Sequence, residues 1–177
     1  MRETIKYGFI LSLICIVASG LLAGVNSLTR SIILAQVRQE EEASLREVIP
    51  GSEHFEPVKK GEDIIYYKAY NKDGKFIGVA FKATGKGYSS TIETMAGMTK
   101  DGSITAIKIL NQNETPGLGA GIVESSFTGQ FANKNIQGLN GIQAITGATI
   151  SSKAVIDSVR EKTKEIQKLI KDVPKNE

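Results

Sequence analysis

Several hydroxyl side chains cluster in residues 146–153, which read Thr-Gly-Ala-Thr-Ile-Ser-Ser-Lys. This stretch follows a short apolar run and opens a long amphipathic pattern, so we predict a turn from a strand into a helix. Gly147 and Ala148 leave space, so Thr149 can present its hydroxyl at the start of the helix. Helix N-termini favour a phosphate because they carry N–H groups without partners and partial positive charge. From the residues alone, a helix cap by Thr149 or a neighbouring Ser is the simpler interpretation.

Three segments of the sequence together resemble one protein family. Residues 146–149, followed by Ser151 and Ser152, resemble the flavinylation motif of the FMN-binding domain family, in which the last Thr carries FMN through a phosphoester bond. Residues 114–119, Glu-Thr-Pro-Gly-Leu-Gly, resemble a second signature of that family, and Gly-Lys-Gly-Tyr at 85–88 is similar to its Gly-x-Gly-Tyr segment. Within the family, the chain resembles the G subunits of Rnf ferredoxin:NAD oxidoreductase complexes, which are related to the C subunit of the sodium-pumping NADH:quinone reductase.

The resemblance implies a set of FMN-binding residues. Thr149 would carry FMN covalently, while Thr115 and Leu118 would lie against the isoalloxazine ring. The full set implied is Thr149, Thr146, Gly147, Ala148, Glu114, Thr115, Gly117, Leu118, Gly119 and Tyr88. We expect no catalytic residue and no metal ligand of this chain's own.

One position departs from the family pattern. Members usually carry Asp three residues before the Ser or Thr that opens the flavinylation motif, and this chain has Gln143 there. If the flavin-attaching enzyme recognises that Asp side chain, attachment of FMN would be slower or less complete in this protein.

The resemblance also implies a function and partners. The chain would carry electrons in a membrane complex that couples ferredoxin and NAD electron transfer to ion translocation, without a substrate site of its own. Its partners would be the other membrane, iron–sulfur and flavin subunits of the complex, the lipid bilayer, and a separate flavinyltransferase that transfers FMN from FAD outside the membrane.

Two alternative functions stay open. One is a stand-alone membrane-anchored covalent-FMN protein of another extracytoplasmic electron route, and the other is a non-redox anchored binding domain in which Thr149 is only a cap.

Composition narrows the classes of function. The chain has 177 residues, a net charge of +3 and 19 acidic residues interleaved with its Lys and Arg, so we do not expect nucleic-acid binding. Cys15 is the only cysteine, which excludes an intramolecular disulfide and a thiolate cluster. The only histidine, His54, stands between Glu53 and Glu56, and we interpret the trio as a surface loop before Pro57 rather than a metal site.

The N-terminal segment is apolar enough to span a membrane. Residues 7–28 contain no charge, and as a helix these 22 residues would extend about 33 Å, more than the bilayer core of about 30 Å. The run is longer than a signal-peptide core and has no convincing cleavage site. Arg2 and Lys6 precede it, which favours an N-terminus in the cytoplasm. The predicted division is a cytoplasmic N-terminus 1–6, a transmembrane helix 7–28, an amphipathic stalk and linker 29–60, an extracytoplasmic FMN-binding domain 61–172 and a tail 173–177.

The remaining pattern predicts an α+β fold with a small antiparallel or mixed sheet. Two hairpins are predicted from β-branched and aromatic runs separated by turn residues, with strands at 64–70, 76–81, 92–98 and 104–110. Residues 121–131 predict a short helix, and 133–140 a loop that returns to a strand before the hydroxyl-rich stretch. A long final helix over 150–171 places Ile156, Val159, Ile166 and Ile170 on one face, which should pack on the sheet.

Overall fold

The computed structural model describes residues 2–171, without the side chains at positions 2, 31, 34 and 171. The predicted tail at 173–177 lies outside the described residues. Contacts divide the chain into two compact units, one ending at Glu42 and the other beginning at Ala43.

Helix α1, Arg2–Val48, contains the apolar N-terminal segment. Its stretch Glu3–Arg30 has 28 residues and contains an 18-residue segment with a mean hydropathy of 2.4, none of which is buried within the protein. Such a helix would extend about 42 Å, so it is long and apolar enough to cross a membrane once.

The second unit is built on one five-stranded sheet in which every strand pairs antiparallel with the next along the chain. Its two predicted hairpins are present, as β2–β3 and β4–β5. The strands are β1 His54–Lys60, β2 Asp63–Tyr70, β3 Phe76–Lys86, β4 Thr91–Thr99 and β5 Ile104–Asn111. The predicted α+β class is confirmed, and the sheet is antiparallel throughout.

Strand β1 lies where the sequence predicts a surface loop, so that prediction is wrong. Its residues pair with β2, for example Phe55 with Ala69, and Pro57 is accommodated because β1 is an edge strand. The half-buried Phe55 and Val58 pack against the cores on the two faces of the sheet, while the charged residues between and after them stay exposed.

Helix α3, Thr149–Lys171, covers one face of the sheet along β3 and β4. Its predicted apolar face is confirmed, since Ile156, Val159 and Ile166 are buried in the core and Ile170 is partly buried against it. Bulky side chains of the sheet and the connecting loops complete this core, among them Phe81, Met98, Ile104, Phe127, Phe131 and Leu139.

The opposite face of the sheet has its own smaller core. Leu45, Val48 and Ile49, from the end of α1 and the residue after it, are buried there against Tyr67 and Met95. The end of α1 is therefore part of the same compact unit as the sheet.

The connection from β5 to α3 contains only short helical pieces. Helix α2 is Ser125–Thr128, and 3-10 turns occupy Gly119–Val123, Gly129–Phe131 and Gly138–Gly141, so the single short helix predicted at 121–131 is broken into pieces. The strand predicted before the hydroxyl-rich stretch is wrong. Residues 142–145 form an irregular segment, and their apolar character is explained by Ile142 and Ile145, which pack against the core.

Candidate functional site

A cavity of about 450 Å³ lies where two loops meet the start of helix α3. This volume is within the range of about 300–1,000 Å³ that is usual for small-molecule and cofactor sites. Its lining residues are Tyr88, Glu114, Thr115, Leu118, Gly119, Gly147, Ala148, Thr149, Ile150 and Ser151.

A tight turn follows β5 and forms one wall of the cavity. The N–H of Leu118 donates to the carbonyl of Thr115 at 3.1 Å, which closes a four-residue turn around Pro116 and Gly117. Gly117 has φ +74°, as the third residue of a type II turn requires, and Pro116 suits the second position. The turn exposes the Leu118 side chain at its end, with 49% of it accessible.

A second turn of the same kind leads into helix α3. The N–H of Ala148 donates to the carbonyl of Ile145 at 2.9 Å, and Gly147, again the third residue, has φ +81°. The hydroxyl of Ser152 accepts a hydrogen bond from the N–H of Ile145 at 3.0 Å. A side chain of α3 therefore fixes the loop that leads into the helix. The two turns meet because Leu118 packs over Gly147, where an added Cβ would lie 3.3 Å from Leu118 Cδ2.

Thr149 is the first residue of α3, and its exposed side chain lines the cavity. Ile150 beside it is 55% exposed. The first turn of a 23-residue helix offers backbone N–H groups that have no partner within the helix, together with the positive end of its dipole. The Thr149 hydroxyl therefore lies at the place in the cavity that best suits a phosphate.

The carboxylate of Glu114 links three parts of the wall. Its Oε1 accepts from the N–H groups of Ser89 and Ser90 at 3.1 and 2.9 Å and from the Ser90 hydroxyl at 3.2 Å. Its Oε2 accepts from the N–H of Tyr88 at 3.1 Å and from the Ser151 hydroxyl at 2.6 Å. One side chain thus joins the turn after β3, the loop after β5 and the first turn of α3.

Glu114 is ionised despite its burial, with only 5% of the residue accessible. Burial acts to raise the pKa of its carboxyl group, but the hydrogen bonds from Ser151 and from the backbone of Ser90, Ser89 and Tyr88 outweigh this, and the pKa is lowered.

Most residues singled out in the sequence line this cavity. Gly117 and Thr146 do not, although each is a neighbour of a lining residue in one of the two turns. Ile150 and Ser151 also line the cavity, although they are not among the residues predicted from the sequence. No local signal in the sequence identifies Ser151, because Ser is common at helix starts and its partner Glu114 lies 37 residues away along the chain.

Gln143, where the family usually has Asp, has an exposed side chain. The side chain of Gln130 forms two hydrogen bonds with the backbone of Gln143. Gln130 Oε1 accepts from the Gln143 N–H at 2.8 Å, and Gln130 Nε2 donates to the Gln143 carbonyl at 3.4 Å. The segment before Thr146 is therefore fixed by backbone contacts while the side chain at position 143 faces solvent.

Comparison with known protein families agrees with this geometry. Residues 87–164 match the family model described as FMN-binding domain, and residues 1–48 match that described as RnfG N-terminal region. The crystal structure of Shewanella oneidensis NqrC shares the fold, with a TM-score of 0.50 and 17% identity over 69% of this chain and 74% of that chain. The fold and the matched model define an FMN-binding domain carried by a chain with one apolar N-terminal helix.

Relatives of similar length identify the family more closely. The G subunit of the proton-translocating ferredoxin:NAD(+) oxidoreductase complex of Clostridium ljungdahlii is 32% identical over 165 residues, covering 88% of each chain. The G subunit of the Na(+)-translocating complex of Acetobacterium woodii is 34% identical over 197 residues, covering 96% of this chain and 95% of the relative. The chain belongs to the family of G subunits of ion-translocating ferredoxin:NAD(+) oxidoreductase complexes, as the resemblance predicted.

The cavity also suits FMN by its chemistry. Tyr88, Leu118 and Ile150 are large apolar side chains exposed around it, at 72%, 49% and 55%, and an aromatic ring system would cover them. The start of α3 supplies a place for the phosphate beside the Thr149 hydroxyl. The same cavity thus offers an apolar surface and an anion site next to each other.

Proposed function

We propose that this chain is the electron-carrying flavoprotein subunit of an Rnf-type membrane complex, with FMN joined through a phosphoester bond to Thr149 and the FMN-binding domain outside the cytoplasm. The other membrane, iron–sulfur and flavin subunits of that complex are its partners. Ferredoxin and NAD would exchange electrons with the complex as a whole, since we expect no substrate site in this chain.

The position of the Thr149 hydroxyl carries the proposal. It is exposed, lines the cavity and belongs to the first residue of α3. The Ser151 and Ser152 hydroxyls nearby are buried and engaged, the first as a donor to Glu114 and the second as an acceptor from Ile145. Thr149 is therefore the hydroxyl in the first turn of α3 that an attaching enzyme could reach.

Attachment requires a second protein, a flavinyltransferase that uses FAD. The Thr149 oxygen forms a new bond to the phosphorus that carries the riboflavin part, the pyrophosphate bond of FAD breaks, AMP leaves, and the hydroxyl proton passes to solvent or to the enzyme. Thr149 supplies only the oxygen in this step. The Glu114 carboxylate accepts its hydrogen bonds from Tyr88, Ser89, Ser90 and Ser151 and not from the Thr149 hydroxyl, so we assign it no part in activating Thr149.

Once attached, FMN accepts and releases electrons, and this chain supplies its location and surroundings. Tyr88, Leu118 and Ile150 would hold its apolar ring system, and the start of α3 would hold its phosphate. Covalent attachment suits a domain outside the cytoplasm because a dissociated cofactor would be diluted, whereas a tethered one keeps a high effective concentration. The apolar segment of α1 would anchor the chain in the membrane.

The attachment site is tested with the full chain expressed together with a flavinyltransferase. In wild-type protein, flavin fluorescence should stay with the polypeptide after boiling in detergent, because denaturation leaves a covalent bond intact. Thr149→Ala should abolish that fluorescence, and ferredoxin- or NAD-linked electron transfer through the membrane should stop. The variant should fold, because Thr149 is exposed at the first position of α3 and substitutions at such exposed positions usually change stability by no more than about 0.5 kcal/mol.

Thr84→Ala is the matched control, because Thr84 is an exposed threonine of β3 that does not line this cavity. It should keep the fluorescence. Mass analysis of peptides locates the modified residue. FMN found on Thr146, Ser151 or Ser152 would correct the site, and a wild-type chain without covalent flavin would refute the proposal.

A further inference from the structure

Glu114 lies in the cavity wall, and its carboxylate accepts hydrogen bonds from backbone N–H groups and from two serine hydroxyls. Its two oxygens accept five hydrogen bonds, from groups 24 to 37 residues away along the chain. Because these donors occupy both oxygens, Glu114 is poorly placed to be a ligand of the cofactor. The carboxylate holds together the segments that contact the cavity.

The loop after β5 is packed tightly onto this carboxylate. At Gly119, an added Cβ would lie 2.7 Å from Ser151 Oγ and 2.9 Å from Glu114 Oε2, closer than real Cβ contacts come. Gly119 therefore packs directly against the two groups that form the Glu114–Ser151 hydrogen bond, and Leu118 precedes it in the same loop. Ser151 lies two residues after Thr149 on α3, so the same bond relates this loop to the attachment residue.

We infer that Glu114 is a positioning residue for the flavin: its buried carboxylate fixes the turn 87–90, the loop 114–119 and the start of α3 in one arrangement and places a negative charge at the wall of the flavin site. This inference deepens the proposed function and rests on it for the flavin, while the arrangement of the wall is a property of the chain without flavin.

Glu114→Gln distinguishes the effect of the carboxylate charge from the effect of the size and shape of the side chain. A glutamine keeps the length and volume, but it has one oxygen where the carboxylate has two, and its NH₂ group would face an N–H or O–H donor. Because hydrogen bonds to a charged group are the stronger kind, the wall should loosen. Glu124→Gln is the matched control, since Glu124 is an exposed glutamate near the same loop whose side chain makes no capping hydrogen bond.

The first measurement needs no flavin. Hydrogen–deuterium exchange of the full chain in lipid nanodiscs, prepared without flavinyltransferase, reports on the amides of Tyr88, Ser89 and Ser90. We expect exchange in the peptide that covers them to be about tenfold faster or more in Glu114→Gln, and unchanged in Glu124→Gln. Equal exchange in wild type and Glu114→Gln would overturn the inference at this step.

The second measurement uses the flavinylated chain. Thr149 is intact in Glu114→Gln, so the flavin should stay attached, but its fluorescence and visible spectrum should change. The midpoint potential should rise, because removal of a fixed negative charge makes the addition of electrons easier. A loosened wall with an unchanged spectrum and potential would show that Glu114 serves only the fold and would also overturn the inference.

Ser151→Ala covers the case in which Glu114→Gln fails to fold. It removes one donor to Glu114 and keeps the charge, so faster exchange and a smaller spectral change are expected, and their absence counts against the inference. The two proposals fail differently. A wild-type chain without covalent flavin refutes the proposed function, while the exchange measurement still reports on Glu114.

Discussion

The backbone carbonyl of Val48 lies so close to Gly97 of strand β4 that any side chain at position 97 would overlap it. The hydroxyl of Thr105 donates a hydrogen bond to the same carbonyl, and Val48 is fully buried. The end of α1 can therefore lie on the sheet only because position 97 has no side chain.

Gly97→Ala should destabilise the compact unit that begins at Ala43. Its Cβ would press on backbone atoms of Val48, which cannot move aside as a flexible side chain can, and overpacking of this kind costs about 1–3 kcal/mol. Urea denaturation of the full chain, followed by circular dichroism, measures the loss. Gly129→Ala is the control, because an added Cβ there meets nothing within 4 Å, and equal stability of the two variants would contradict the prediction.

The lowered pKa of Glu114 predicts a pH dependence of stability. A carboxyl group with a lower pKa in the folded state stabilises the fold above its unfolded pKa of about 4.3, and this contribution is lost as the pH falls through the folded value. At pH 7, Glu114→Gln should therefore cost about 1.5–3 kcal/mol, and the difference from wild type should shrink below about pH 4. Denaturation curves of both proteins at several pH values test this, and a difference that does not vary with pH would argue against an ionised Glu114.

Local patterns were sufficient to predict the sheet hairpins and the last helix. The strands of both hairpins combine β-branched or aromatic residues with turn residues between them, and the apolar spacing of α3 matches its buried face. Strand β1 escaped prediction because His-Phe-Glu-Pro-Val-Lys-Lys contains charges and Pro57, which an edge strand tolerates and a central strand would not. The information that makes it a strand lies in its partner β2.

In the candidate site, too, local features could be predicted from the sequence and long-range contacts could not. The residues of both turns could be identified because Gly117 and Gly147 mark them locally, whereas the hydrogen bonds of Glu114 reach residues that are distant in the sequence. The apolar run at 142–145 suggested a strand, but apolar residues equally suit a loop whose Ile142 and Ile145 contact the core. The apolar residues at 142–145 therefore indicated contact with the core, but they did not determine the secondary structure of this segment.

The orientation in the membrane is a prediction from charge. Arg2 and Lys6 precede the apolar segment of α1, so the N-terminus should lie in the cytoplasm and the segment after Leu28 outside. Protease added to intact spheroplasts should digest that segment. Digestion only after lysis would show the opposite orientation and would argue against attachment of FMN by an enzyme outside the membrane.

Gly117 and Gly119 should respond differently to the same small substitution. An added Cβ at Gly117 meets nothing within 4 Å, but the residue has φ +74°, so Gly117→Ala should cost more than about 1 kcal/mol of stability through backbone strain. Gly119→Ala would push on Ser151 and Glu114 and should change the absorbance and fluorescence of the attached flavin. Denaturation and flavin spectra of the two variants, compared side by side, make the test. Identical flavin spectra in Gly119→Ala and wild type would mean that the contact of Gly119 with Glu114 and Ser151 does not shape the flavin site.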